Sequence, residues 1–189
     1  MEFDVILKER RSIRSYAKKK VSFQDVLAVC EAARYTPMAG NLYTIRLIIV
    51  SDKEKKAKLM EAALDQEFVA QAPYVIVVCS DLALIKRSYG KRGIEIYARQ
   101  QAGAAIQNML LKITDLGLAS CWVGAFDEKT VKDVLKIPEK IRVEALLPIG
   151  HAKEKVRARI KPELKQILSF EEYGVKAVKE RRGNPIVKK

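Results

Sequence analysis

The longest helical pattern in the sequence runs from residue 96 to residue 116 and ends at Gly117. A helix of this length spans roughly 30 Å, the width of a small domain. Because many of its residues are small, we expect neighbouring elements to pack closely on more than one side. The pattern therefore predicts a central helix, whose small and apolar positions are Ala98, Ala102, Ala105, Ile106, Met109, Leu110 and Ile113.

Helices and strands are mixed along the rest of the chain. Runs of β-branched and apolar residues predict strands at 46–51, 73–79, 120–124 and 143–149. Helical spacing predicts helices that begin after Ser22, at residue 53 and after Asp127. Residues 81–96 are polar and contain glycines, which predicts a connecting loop or lid. This mixture indicates one layered α/β or α+β domain.

Composition excludes several classes of protein. No stretch approaches the ~20 apolar residues of a membrane-spanning helix, and the N-terminal order of acids, apolar residues and arginines is wrong for a signal peptide. The three cysteines lie far apart and His151 is the only histidine, so we expect free thiols, no metal site and a reducing, cytoplasmic location.

The formal net charge is +13. Such an excess of positive charge leaves nucleic-acid binding open as one interpretation.

A cluster of basic and hydroxyl groups near the N-terminus is the first candidate site. Arg10, Arg11, Ser12 and Arg14 place three guanidinium groups and a hydroxyl within five residues. Arginine forks bind phosphate oxygens in pairs, and a serine hydroxyl adds a short donor. The segment predicts a phosphate site, or alternatively a solvated basic turn after a helix.

Three further segments carry weaker signals. Residues 37–42 form a loop in which Gly40 permits a close backbone approach and Asn41 offers a donor and an acceptor. Gly124 and Ala125 could present main-chain N–H groups to a flat ligand, since neither side chain blocks the approach. A basic run at 157–161 could reach the same phosphate as the N-terminal arginines, although such runs usually face water.

The order of these motifs is more specific than any one of them. The sequence contains Arg-Arg-Ser-Ile-Arg, then Pro-x-Ala-Gly-Asn, an Ala-Pro before a hydrophobic strand, Ala-x-Gln-Asn-Met-Leu-Leu in the long helix, Gly-Leu-x-Ser-Cys-Trp-x-Gly-Ala-Phe and Leu-Pro-x-Gly-His. This set resembles the nitroreductase family of FMN-dependent oxidoreductases over about residues 3–174.

The resemblance implies a fold and an assembly. It implies an α+β fold of three α/β/α layers, with a mainly antiparallel sheet, a long central helix and a C-terminal arm that reaches a partner subunit. We therefore expect an FMN-binding domain at 1–174 and a basic arm at 175–189, either crossing to the partner or partly disordered. Family members are homodimers whose two FMN clefts draw residues from both chains.

The resemblance also assigns roles to residues. It implies that Arg10 and Ser12 hold the phosphate and ribityl chain, beside Arg11, and that Arg14 lies toward the pyrimidine edge of the flavin. It implies that Gly124 and Ala125 approach the flavin N5 and O4 through their N–H groups. The remaining contacts that it implies are the partner's loop with Pro37, Met38, Ala39 and Asn41, the polar residues Gln66 and Gln101, and the C-terminal phosphate pair Arg159 and Lys161.

The implied activity is that of an NAD(P)H-dependent flavin oxidoreductase. NAD(P)H would reduce FMN at N5, and a nitroaromatic, quinone or similar acceptor would then use the same cleft in a ping-pong cycle, with no catalytic side chain beyond the flavin. Two alternatives are a basic nucleic-acid-binding protein and an FMN-binding protein without turnover. The chain departs from the family where Tyr43 follows Asn-Leu and where the 81–96 lid is short.

Overall fold

The structure is a computed structural model that describes residues 1–176. The chain divides after Val156 into two units. The first unit contains helices α1 (Phe3–Glu9), α2 (Phe23–Arg34), α3 (Lys53–Ala62), α4 (Phe68–Gln71), α5 (Leu82–Arg92), α6 (Ala98–Asp115) and α7 (Glu128–Leu135). Its strands are β1 (Ile45–Val50), β2 (Tyr74–Asp81), β3 (Ala119–Ser120) and β4 (Ile141–Gly150).

The four strands form one antiparallel sheet in the order β1-β2-β4-β3. β2 lies in the middle and pairs along its length with both β1 and β4. The pairing with β4 shifts by one residue between Val78 and Cys79, which marks a β-bulge. The sheet confirms the predicted antiparallel arrangement, and it leaves β1 and β3 as its two edges.

Alternate residues of β2 supply two separate cores. Val75, Val77 and Cys79 pack on one face of the sheet with residues of α3, α4 and α7. Ile76 and Val78 pack on the other face with residues of α2 and α6. Because successive side chains of a strand point to opposite faces, a strand that is apolar throughout must be covered on both sides. The three-layer α/β/α architecture is therefore confirmed.

The long helix α6 occupies the position that its sequence predicted. All of its predicted core residues, from Ala98 to Ile113, are buried, and the helix packs against α2. Gly117 follows with φ of 68°, a conformation that glycine adopts without steric cost and that ends a helix. Ser22 and Asp127 cap α2 and α7, by accepting hydrogen bonds from the backbone N–H groups of Gln24 (3.2 Å) and Thr130 (2.7 Å).

The prediction of a loop at 81–96 was wrong, because this segment is helical. Asp81 caps α5 by accepting from the N–H of Ala83 at 3.2 Å, and Ile85 anchors the helix in the interior. Gly90, with φ of 55°, interrupts the helix, and a π-helical turn at Gly93–Tyr97 joins it to α6. The polar residues that suggested a loop lie instead on the exposed side of a surface helix. The strand expected at 120–124 is also shorter, since β3 ends at Ser120.

Gly150 provides a test of how tightly the end of the sheet is packed. A Cβ at this position would lie 2.7 Å from Cδ1 of Tyr16 and 3.2 Å from Cδ of Pro73. Tyr16 is buried, and its hydroxyl donates to the carbonyls of Ile13 (3.0 Å) and Pro148 (3.2 Å), so the ring has little room to move. We expect Gly150→Ala to lower the free energy of unfolding by about 1–3 kcal/mol, as overpacking of a core does.

Urea unfolding of the variant beside the wild type measures this effect. Gly174→Ala is not a suitable comparison, because its φ is 89°. Lys86→Ala on the surface of α5 is a better control, because the Lys86 side chain is exposed and alanine is a good helix former. Equal urea midpoints for the wild type and Gly150→Ala would show that the Tyr16 ring yields without cost.

The second unit begins at Arg157 and contains one short helix, α8 (Leu164–Ile167). Glu163 and Gln166 form a capping box at its start. Several large apolar side chains of this unit are exposed, namely Ile160, Leu164, Ile167 and Tyr173. The predicted basic arm at 175–189 falls almost wholly outside the described residues, so that prediction and the boundary after residue 174 remain predictions.

Candidate functional site

The N-terminal motif forms an extended segment beside the sheet. Ile13 donates its N–H to the carbonyl of Ser120 at 2.8 Å, and Tyr16 pairs with Ala152 just beyond β4. Ile13 and Tyr16 are buried, whereas Ser12 and Arg14 between and beside them are exposed. The alternation follows from the extended backbone, and it presents the hydroxyl and the guanidinium on the outer side.

A cavity of about 430 Å³ opens next to this segment. It lies where the start of the motif, the last turns of α6 and the residues after β4 meet. Its polar and charged lining consists of Arg10, Arg11, Ser120, Lys153 and Lys155, together with Thr114, Glu9 and Glu154. Four cations against two carboxylates give the cavity a positive balance, which favours an anionic ligand.

The hydroxyl of Ser120 bears on whether a phosphorylated ligand fits this cavity. The residue is 3% exposed, and its hydroxyl has no hydrogen-bond partner among the described residues. A buried polar group without a partner costs free energy, so such groups are rare unless a ligand or water completes them. A cavity lined by Arg10, Arg11 and this serine fits a phosphate group, because phosphate oxygens accept hydrogen bonds from guanidinium and hydroxyl groups.

Cys121 shows that the motif side chains converge on the segment that follows β3. Burial raises the pKa of the Cys121 thiol, and the neighbouring Arg14, Ser12 and Arg10 oppose that rise. The thiol is 1% exposed and remains protonated at neutral pH. Residues that are more than a hundred positions apart in sequence therefore meet at the start of the 121–125 segment.

The backbone at Gly124 and Ala125 is open to a ligand. A Cβ at Gly124 would meet only Nε1 of Trp122, at 3.9 Å, and both residues are exposed. Their N–H groups donate to no other group in the described part of the chain. Gln66 supports this backbone from behind, because its amide donates to the carbonyls of Ala125 (3.3 Å) and Ala63 (2.8 Å). Two free main-chain donors on a braced loop could bind a polar ring edge.

The loop at 37–42 forms a tight turn beside the start of α6. Gly40 and Asn41 have φ of 57° and 56°, and Leu42 donates its N–H to the carbonyl of Ala39 at 3.1 Å. Gln101 is buried beneath the loop, and its amide nitrogen donates to the Leu42 carbonyl at 3.3 Å. In the flipped orientation of the amide, its oxygen instead accepts from the N–H of Ala39 at 3.0 Å. Gln101 is thus committed to the part of this loop that runs from Met38 to Leu42, called the 38–42 loop below, and Pro37 comes directly before that part.

Within one chain, the loop and the Arg10 cavity are far apart. The loop contacts Gln101 near the start of α6, whereas the cavity is lined by Ile113 near its end. Twelve residues separate these positions, which corresponds to about 18 Å along a helix. The structure therefore does not bring the loop residues together with the N-terminal arginines of the same chain.

Arg159 and Lys161 lie in the second unit, where both are exposed. Their role at a phosphate stays a prediction. Within the first unit, the basic residues that reach the Arg10 cavity are Lys153 and Lys155, which sequence reasoning missed. Both lysines follow the predicted strand at 143–149, but no local pattern in the sequence shows that the end of this strand borders the motif.

A second groove in the first unit is also basic. It has a volume of about 920 Å³ and is lined by Lys18, Lys19, Lys20 and Lys153, and it contains none of the residues from Arg10 to Arg14. Residues 1–176 include no cluster of three or more His, Cys, Asp or Glu side chains arranged to hold a metal ion. None of the described helices combines the length and the apolar character needed to cross a membrane.

The fold has three layers, a basic cavity at the end of its central helix, and main-chain N–H groups at Gly124 and Ala125 that have no partner among the described residues. These features define an α/β/α protein suited to a phosphorylated ligand with a polar ring. Comparison with known families is consistent with this class and more specific. The model of the nitroreductase family matches residues 7–67 and 60–151. The chain belongs to the nitroreductase family, which confirms the resemblance predicted from the motifs.

Individual relatives extend over most of the chain. A protein of Archaeoglobus fulgidus assigned to the NADH dehydrogenase/NAD(P)H nitroreductases is 34% identical over 149 residues, covering 77% of this chain and 82% of that protein. An NAD(P)H-dependent FMN reductase of Bacillus subtilis is 28% identical, covering 85% and 69%. A crystal structure of a nitroreductase family protein from Streptococcus pneumoniae superposes with a TM-score of 0.83 at 25% identity, covering 89% of this chain and all of that chain.

Proposed function

We propose that this protein is an FMN-dependent oxidoreductase that takes reducing equivalents from NAD(P)H and passes them to a nitroaromatic, a quinone or a similar acceptor. The observation that carries the proposal is the basic cavity lined by Arg10, Arg11 and Ser120, whose hydroxyl has no hydrogen-bond partner among the described residues. Family membership and the FMN reductase of Bacillus subtilis among the relatives support FMN as the ligand.

The charged residues have distinct roles in this proposal. Arg10 and Ser12 hold the phosphate and the ribityl chain, with Arg11 and Ser120 completing the phosphate site. Arg14 is exposed on the same extended segment and lies toward the pyrimidine edge of the ring. Reduced flavin carries negative charge at that edge, so a fixed guanidinium there stabilises the reduced form.

The free N–H groups of Gly124 and Ala125 bind the edge of the ring at N5 and O4. When bound, FMN supplies the redox chemistry, accepting a hydride at N5 and delivering electrons to the acceptor. A main-chain donor at that edge orients the ring without introducing a group that titrates near neutral pH. The chain's own contribution is therefore to bind, to orient and to supply positive charge.

A second copy of the chain completes the site in this proposal. The 38–42 loop lies about 18 Å along α6 from the Arg10 cavity of its own chain, so it would reach a cavity only in a partner. Large apolar side chains are exposed on α1, α2 and the turn after α2, among them Phe3, Leu7, Phe23 and Tyr35. Exposed apolar surface of this kind is typical of an interface, and β1 is an open sheet edge that a partner's C-terminal arm could cover.

The kinetic scheme and location complete the proposal. NAD(P)H and the acceptor would occupy the same cleft in turn, which gives ping-pong kinetics. The three cysteines are free in the structure, which supports a reducing compartment such as the cytoplasm.

The test is direct. Purified protein should be yellow, should contain about one FMN per chain, and should lose its yellow colour under anaerobic conditions when NADH or NADPH is added. Riboflavin is the matched control ligand because it lacks only the phosphate, and it should bind much more weakly. A protein that does not bind FMN at micromolar concentration would contradict the proposal. FMN that binds but is not reduced by either nicotinamide would instead identify a binding protein without turnover.

A further inference from the structure

The helix α5 and the π-helical turn after it are called the lid below. Tyr89 of α5 contacts Gly40 in the 38–42 loop. A Cβ built on Gly40 would lie 2.5 Å from the Tyr89 hydroxyl oxygen and 3.4 Å from Cζ. The hydroxyl therefore packs directly against the Cα of Gly40. Because Gly40 also has φ of 57°, the position favours glycine for two independent reasons, namely the backbone conformation and the contact with Tyr89.

Tyr89 is itself held by its neighbours. Its ring packs edge-to-face against Tyr97, with 5.2 Å between ring centroids and 85° between ring planes. The Tyr97 hydroxyl accepts a hydrogen bond from Nε of Arg92 at 3.0 Å, and the guanidinium lies 5.5 Å from the centre of the Tyr97 ring. Edge-to-face ring pairs and cation–π contacts both favour one arrangement of the side chains that make them. The three side chains form a connected group at the end of α5 and in the turn that follows it, where Tyr89 and Arg92 are also exposed to solvent.

The lid is also anchored to the sheet. Nη1 of Arg142 on β4 donates to the carbonyl of Ile94 in the π-helical turn at 3.0 Å. Arg142 forms an ion pair with Glu144 at 2.7 Å, and both side chains are mostly buried. Gly93 is packed so closely that a Cβ there would lie 2.8 Å from the Ile85 carbonyl. A continuous set of contacts thus runs from β4 through the lid to Gly40.

We infer that Tyr89 is a positioning residue that holds the 38–42 loop in its tight turn, and that the lid is a fixed brace for this loop. The inference rests on the proposed function for its consequence, since the loop is proposed to complete the FMN cleft of a partner chain. The brace itself is a property of one chain and does not require a bound ligand. Gln101 supports the loop from below, and Tyr89 fixes it from the side of the lid.

The experiment compares Tyr89→Ala, Tyr89→Phe and Lys86→Ala by hydrogen exchange of the cofactor-free, full-length protein. Lys86 is exposed on the same helix, so its replacement controls for a change in the lid surface. The informative amides are those of Asn41 and Leu42, which donate to the carbonyls of Met38 and Ala39. We expect Tyr89→Ala to accelerate their exchange about tenfold or more, as loss of local packing does. Tyr89→Phe should have a smaller effect, and Lys86→Ala none.

A second readout uses the FMN-loaded protein. The Kd for FMN should rise about tenfold in Tyr89→Ala, in proportion to the loss of the ordered loop, and Tyr89→Phe should restore most of the affinity. If the wild type fails to bind FMN, the proposed function is wrong, while the exchange experiment still tests the brace. Unchanged exchange at Asn41 and Leu42 in Tyr89→Ala would overturn the inference. If Tyr89→Ala unfolds, Tyr89→Phe alone decides, and exchange at these amides equal to that of the wild type would also overturn it.

Discussion

Replacing Arg10 by glutamine is expected to weaken FMN binding by about 10- to 150-fold. The guanidinium lines the cavity beside the unpartnered Ser120 hydroxyl. A hydrogen bond to a charged group contributes about 1.5–3 kcal/mol, and each 1.4 kcal/mol is a factor of ten in Kd. Glutamine retains a polar side chain of similar reach but removes both the charge and the fork that binds two phosphate oxygens.

The fold should tolerate this change. In the described part of the structure, the Arg10 guanidinium makes no hydrogen bond and no ion pair, so its removal breaks no polar contact of that kind. Lys53→Gln provides the control, because Lys53 is exposed on α3, away from the cavity, and the change in net charge is the same. Titration of apoprotein with FMN, followed by flavin fluorescence, measures both variants.

Riboflavin separates the phosphate contact from the rest of the site. If Arg10 binds the phosphate, Arg10→Gln should change riboflavin affinity much less than FMN affinity. Equal losses for the two ligands would place Arg10 elsewhere in the site. An FMN affinity equal to that of Lys53→Gln would remove Arg10 from the phosphate site altogether.

The secondary structure could be predicted from sequence wherever the pattern was dominated by burial. β2 and β4 are nearly continuous apolar runs because both faces of the sheet are covered, and α6 has small and apolar residues on its buried sides. The lid was mispredicted because its helix buries chiefly Ile85, and the remaining polar residues resemble those of a loop. A surface helix with one anchoring residue has too weak a periodicity to be recognised.

The site could be predicted only in part, since a motif identifies chemical groups but not their neighbours. Arg10 and Ser12 were identifiable because guanidinium and hydroxyl groups are concentrated there. Ser120, Lys153 and Lys155 were not, because only the pairing of β3 with β4 and the path of the chain after Gly150 bring them to the cavity. Their contribution depends on tertiary structure that no local pattern encodes.

A mixed dimer of one Arg10→Gln chain and one Gly40→Val chain is expected to have one FMN site of wild-type affinity, whereas neither homodimer has such a site. In the proposed assembly, each cleft combines Arg10 of one chain with the 38–42 loop of the other. Gly40→Val should damage the loop, because a β-branched residue is strained at φ of 57° and its Cβ would collide with the Tyr89 hydroxyl. Homodimers of Arg10→Gln and of Gly40→Val should therefore each have two weakened clefts.

The mixed dimer differs because its two lesions fall in the same cleft. One cleft then contains both substitutions, and the other contains an intact Arg10 and an intact loop. Co-expression with two affinity tags and purification on both isolates this species, and titration with FMN should show about one tight site per dimer, with the affinity of the wild type. If the cleft were built within one chain, each chain of the mixed dimer would carry a lesion in its own site. Two weakened sites in the mixed species would therefore exclude the shared cleft, and so would failure of the two tagged chains to associate.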